Sequence, residues 1–153
     1  MDNGLSHRKF LRTELPFKPG SYIQDVLQSK SFGDTELGWI KLTKKGSVIF
    51  IMQQNCSACN YQPLIDFASK YTEFDYCLFL ESDEDFYKDI IGKIKFPVLR
   101  CNVRETAKQL HFYGVPWVFS LNNMGQFISG DIFHNIEDLM RINHALIQVY
   151  YTR

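Results

Sequence analysis

Cys56-Ser57-Ala58-Cys59 is the stretch with chemistry in it. Two thiols separated by two residues can close a small disulfide ring or supply half of a zinc site. The pair follows an apolar run, Val48-Ile49-Phe50-Ile51-Met52, and precedes a stretch with helical periodicity. A thiol at a helix N-terminus meets unpaired N–H groups and the positive end of the helix dipole, both of which favour the thiolate. A free thiol titrates near ~8.5, and such a setting lowers it by one to several units, making a nucleophile near neutral pH. Zinc wants four ligands, usually two such pairs or one pair with two histidines. The remaining cysteines, Cys77 and Cys101, stand singly in strand-like runs, and His7, His111, His134 and His144 are scattered. A chance pair of structural cysteines and a metal site therefore stay open beside redox chemistry, with no metal expected.

The elements that must position this pair follow from periodicity. Residues 1–34 read as an N-terminal arm with a short helix from Ser21 to Lys30, and residues 35–153 as one domain. Trp39 to Leu42 alternates like a strand, and Lys44-Lys45-Gly46 reads as a tight turn. Ser47 to Gln53 is a continuous apolar run, as expected of a central strand buried on both faces. A helix is expected from Cys56 to Tyr71, kinked at Pro63, because proline removes a backbone hydrogen bond and clashes with the preceding turn. Phe74 to Leu80 is a second strand. Asp83 to Ile91 is a helix with Asp83 as N-cap and Gly92 as its stop. Phe96 to Cys101 is a short strand, and Val103 to Tyr113 a helix ended by Gly114. Val115 to Leu121 is a strand opened by a proline, Asn122 to Gly125 a hairpin turn, and Gln126 to Ile128 the return strand. Asn135 to Val149 is the last helix. Strands alternating with helices imply crossover connections, a partly parallel sheet with an antiparallel hairpin at its edge, and helices on both faces.

Composition narrows the function classes. The chain has 153 residues, 45% hydrophobic and 15% aromatic, enough for one well-filled core. Lys plus Arg and Asp plus Glu are 17 each, so a net charge of zero argues against a nucleic-acid or anionic-membrane partner. No run approaches the roughly 18 apolar residues of a membrane span. Residues 1–20 carry Arg8, Lys9 and Arg12 with no apolar segment after them, so no secretory signal is expected. Four cysteines are too few for a disulfide scaffold. One pair plus two single thiols suits a cytoplasmic setting.

A second motif then joins the first. Gly114-Val115-Pro116 lies 55 residues after Cys59 and opens a strand, an Asn/Gly turn, a return strand and a final helix. An apolar strand running into CxxC, with this Val-Pro hairpin at that distance, resembles the thioredoxin-like fold and its thiol–disulfide oxidoreductases over roughly residues 35 to 150. The fold implied is α/β, with a central mixed sheet, helices on both faces and a C-terminal hairpin plus helix. The resemblance implies that Cys56 attacks, Cys59 resolves, and Pro116 is cis and shapes the site. It implies that Val115 offers its backbone to an extended substrate peptide, while Ser57 and Ala58 tune the redox poise and meet substrate. Trp117 is expected either in the core or along the peptide groove. The implied activity is disulfide exchange with a protein or peptide, with no cofactor, a second redox protein as electron partner, and a monomer. A non-catalytic module that binds in the groove beside Pro116 is the alternative.

The site departs from the family pattern. Ser-Ala between the cysteines matches neither the Gly-Pro of thioredoxins nor the Pro-His and Gly-His of oxidases and isomerases. Asn55 stands where thioredoxins carry Trp. Their buried Asp would fall near Phe50, leaving Glu81 as the nearest replacement. Pro63 sits four residues after Cys59 rather than five. The helix expected within 81–97 resembles the cytochrome-maturation branch. A narrower resemblance, to thioredoxin-like enzymes of bacteriocin maturation in Bacillus, implies a peptide disulfide as substrate.

Overall fold

The computed structural model describes residues 17–23 and 45–151. Its sheet is built outward from β1 (Ser47–Gln53), six of whose seven residues are buried. Successive strand residues point to opposite faces. Val48, Phe50 and Met52 therefore enter one core and Ile49 and Ile51 the other. Burying one such side chain stabilises the fold by about 1.5–3 kcal/mol, so this run can only be an inner strand.

β1 pairs in parallel with β2 (Asp75–Glu81), which pairs in parallel with β3 (Val98–Arg100). On its other side β1 pairs antiparallel with β4 (Trp117–Leu121), which forms a hairpin with β5 (Phe127–Ile132). The order is β3-β2-β1-β4-β5. This is the mixed sheet with an antiparallel edge that the sequence predicts. Gly125, at φ 79°, makes the hairpin turn, with its N–H donated to the Asn122 carbonyl at 3.1 Å.

Helices cover both faces. α1 (Gln62–Lys70), α2 (Glu84–Lys93), α4 (Ile136–Ile142) and α5 (His144–Tyr151) send Leu64, Phe67, Ile90, Leu139, Ile142 and Leu146 into the first core. α3 (Val103–Leu110) closes the second with Leu110. Phe17, from the segment read as an arm, also enters this second core, edge-on to Phe119 at 5.4 Å. Most of the Ser21–Lys30 helix, the Trp39–Leu42 strand and Lys44 lie outside the described residues.

Several boundaries differ from the periodicity reading. α1 begins at Gln62, not at Cys56, and Pro63 lies in its first turn. There the missing N–H would have no helical partner, so no kink is needed. Asp83 does cap α2, accepting from Phe86 N–H at 2.8 Å, but Gly92 lies inside that helix and Ile94 ends it. α3 stops before Gly114, because His111 turns left-handed at φ 60°. The last helix is two, broken at the buried Asn143.

Candidate active site

β1 delivers the chain to the site. Gln54 and Asn55 turn out of the sheet, and Cys56 to Cys59 form a second turn closed by Cys59 N–H donating to the Cys56 carbonyl at 3.2 Å. The turn brings the two Cα atoms to 5.3 Å, and the thiols are joined as a disulfide. Cys56 thus precedes the helix rather than opening it, so a full helix-dipole effect, which fades beyond the first turn, does not reach it. Asn60 caps the approach to α1, its side chain accepting from Gln62 N–H at 3.1 Å. Ser57 and Ala58 are exposed, both cysteines are half-buried, and Cys59 leans on the first core.

The second motif arrives from β4. The Val115-Pro116 peptide bond is cis, as the resemblance implies, and Pro116 is buried. The Val115 carbonyl oxygen lies 3.8 Å from Cys56 Sγ. Two stretches 59 residues apart thus meet at one sulfur. Val115 remains half-buried, with part of its surface open beside the disulfide.

Trp117 is different. Its side chain is wholly buried, packed with Phe112 and Phe119 in the second core, so it cannot line a peptide groove. The reason is topological: β4 lies between β1 and β5, and both of its faces are covered. Phe50, where thioredoxins keep an acid, is likewise core, among Tyr76, Phe96 and Phe133. Glu81 is engaged elsewhere: its carboxylate accepts from Val103 N–H at 2.8 Å at the start of α3.

The other two thiols are shielded. Burial pushes the Cys77 thiol far up, and burial raises Cys101 to about 12 against a hydrogen bond from Thr106 that opposes it. Neither is near its ionised form at neutral pH. Among the described residues no three His, Cys, Asp or Glu side chains gather to hold a metal ion. No described helix is long and apolar enough to cross a membrane.

Two contacts escape periodicity. Gln54 and Asp83 lock together, with Gln54 Nε2 donating to Asp83 Oδ2 at 3.1 Å and Asp83 N–H donating to Gln54 Oε1 at 2.9 Å. This ties the start of the cysteine loop to the N-terminus of α2. Tyr113 stands two residues before Val115, exposed, with its ring edge-on to Trp117 at 4.9 Å. Its only sequence signal is its place directly ahead of Gly114-Val115-Pro116.

No protein-family profile matches the sequence, and no curated protein matches it. Solved structures do. A thioredoxin-like protein whose solution structure is known in the oxidised form has a TM-score of 0.66 at 15% identity, over 88% of this chain and 99% of that one. The thioredoxin domain of a thiol-disulfide oxidoreductase from Bacteroides vulgatus has a TM-score of 0.57 at 13% identity, over 70% and 84%. StoA from Bacillus subtilis has a TM-score of 0.50 at 21% identity, over 65% and 82%. At such identities the likeness establishes architecture, and with the sheet order and hairpin described above it makes this a thioredoxin-like fold.

Proposed function

We propose that the protein is an enzyme, a thiol–disulfide oxidoreductase that exchanges the Cys56–Cys59 pair with a protein or peptide. The observation that carries this reading is the meeting of the bonded pair with the Val115 carbonyl at 3.8 Å, on the half-exposed rim of a thioredoxin-like fold. Cys56 is the reacting sulfur and Cys59 the resolving one, since Cys59 backs onto the core. Pro116 shapes the rim, Val115 offers backbone hydrogen bonds to an extended segment, and Ser57 and Ala58 form the exposed floor beside it.

In the oxidising direction a substrate thiolate attacks Cys56 Sγ and Cys59 leaves as a thiolate, giving a mixed disulfide. The second substrate thiolate attacks the substrate's own sulfur in that bond. Cys56 is released, the substrate gains a disulfide, and two electrons rest on the Cys56–Cys59 dithiol. Reduction is the same sequence reversed. A second redox protein restores the pair, and no organic cofactor or metal takes part. The substrate is an extended peptide segment, of which a maturing bacteriocin-type peptide is the narrower instance. The protein works in the cytoplasm, a reading supported by a chain with one CxxC pair and two unpaired thiols. It acts as a monomer.

Equilibration of the pair against glutathione buffers tests the reading. A two-electron transition assigned to Cys56–Cys59 is expected, and its midpoint relative to the cytosolic poise gives the direction. A Cys59→Ser variant should trap its partner covalently through Cys56. A pair that never cycles, in a protein that still binds peptide after Cys56→Ser, would make this a binding module instead.

A further inference from the structure

Tyr113 is 68% exposed, yet it is fixed on two sides. Its ring meets the buried Trp117 edge-on at 4.9 Å, and its hydroxyl donates to Asp131 Oδ1 at 3.1 Å. Asp131 is anchored in turn, the same oxygen accepting the Ile132 N–H at 2.7 Å. An exposed tyrosine usually keeps its rotamer freedom, which costs free energy to freeze on binding. Here two contacts already favour one orientation. The ring stands perpendicular to Trp117 with most of its surface exposed and its hydroxyl donated to a carboxylate, so aromatic surface and a negative charge share one small patch.

The position of that surface matters. Tyr113 is two residues from Val115, no more than about 7 Å along the backbone. A substrate strand paired with Val115 carries same-face side chains about 6.6–6.8 Å apart. A side chain two residues from the reacting cysteine therefore comes within reach of Tyr113. An aromatic face beside a carboxylate suits a cation: the ring attracts it through its quadrupole and Asp131 through its charge.

We infer that Tyr113 and Asp131 form a specificity subsite that accepts a lysine or arginine two residues from the substrate cysteine. This rests on the exchange reading above and adds to it the class of peptide the site selects. Both contacts lie at the surface, where each contributes modestly, so the combined preference is about fivefold over a leucine.

The test compares disulfide-linked peptides that differ only at that position, with Arg, Leu or Glu, in the full chain. An arginine also acidifies its neighbouring thiol, which speeds any exchange. The informative quantity is therefore how the Arg-to-Leu ratio of kcat/KM changes between proteins. It should fall by part of that fivefold in Tyr113→Ala and in Asp131→Asn and by all of it in the double variant, while Tyr113→Phe keeps the ring and most of the ratio. The same peptides with serine for cysteine are titrated for binding. A ratio equal in wild type and Tyr113→Ala, in both turnover and binding, overturns the subsite. Arg-selective binding without turnover upholds the subsite and refutes the exchange reading instead.

Discussion

The four cysteines should divide sharply in their chemistry, and the size of the division follows from their surroundings. At pH 7.5 a thiol titrating near ~8.5 is about one-tenth thiolate. Cys101, raised to about 12, is ionised some three-thousandfold less often. Part of this is offset, because a more basic thiolate attacks faster: with a Brønsted slope of ~0.4–0.5, three and a half units return a factor of roughly 25–55. Ionisation alone thus leaves Cys101 about 50–100 times slower than an ordinary thiol toward an aromatic disulfide reagent. Burial slows it further, and Cys77, fully inside the second core, is slower still. The assay is stopped-flow release of the reagent's chromophore. The native protein with its disulfide should show no fast thiol, the native reduced protein two, and the denatured reduced protein all four. Peptide mapping after the fast phase should find Cys56 and Cys59 joined again as a disulfide, because Cys59 displaces the reagent from Cys56 and releases the second chromophore, with no reagent on Cys77 or Cys101. A third thiol reacting within tenfold of a free cysteine, in protein whose fold is intact, would refute both the burial argument and the assignment of the redox pair.

Phe50→Ala should destabilise the fold by about 3–5 kcal/mol, read by urea unfolding, because it empties a site among three aromatic rings. Asn102→Ala should cost about 1 kcal/mol and lower Tm by roughly 2–4 °C, since Asn102 accepts from Glu105 N–H at the start of α3. The Asp83 carboxyl is held below its usual range first by the Phe86 N–H and then by the Gln54 amide. A carboxyl depressed in the folded state contributes stability above its unfolded pKa and loses it as pH falls through the folded one. The Phe86 amide resonance should therefore keep its capped position through mild acid and shift only below the ordinary aspartate range. Asp83→Asn should remove that acid transition.

The chemistry-bearing residues were legible because they are local. Cys56-Ser57-Ala58-Cys59 and Val115-Pro116 declare themselves by type and spacing, and the long apolar runs at 47–53 and 74–80 allow only inner strands. What stayed hidden depends on neighbours. Trp117 faces a choice between two sides only if one is open, and nothing in its own stretch says that Phe112 and the rest of the second core will cover it. The break at Asn143 leaves the apolar spacing undisturbed on both sides. Only its local bonds mark it, the side-chain amide and the backbone N–H both donating to the Leu139 carbonyl. Tyr113 carries no periodic signal at all, since its use comes from Trp117 and Asp131.

The site itself is a product of register. Cys56 and Val115 are 59 residues apart, and the antiparallel pairing of β1 with β4 closes that distance. Ile51 sits opposite Trp117. Continuing that pairing two residues further sets Val115 level with Gln53, where β1 ends and the cysteine loop begins. On the other side, β2 keeps Gln53 level with Glu81, and the adjacent Gln54–Asp83 contact pins the loop. A slip of one residue between β1 and β4 would move Val115 by about 3.3 Å along the strand. It would also reverse every side chain of β4, turning Trp117 and Phe119 out of the core they fill. The hydrophobic pattern that stabilises the sheet therefore also fixes Cys56 Sγ against the Val115 carbonyl. Substitutions in the core of β4 should accordingly disturb exchange with peptides more than exchange with small thiols, which have no need of Val115.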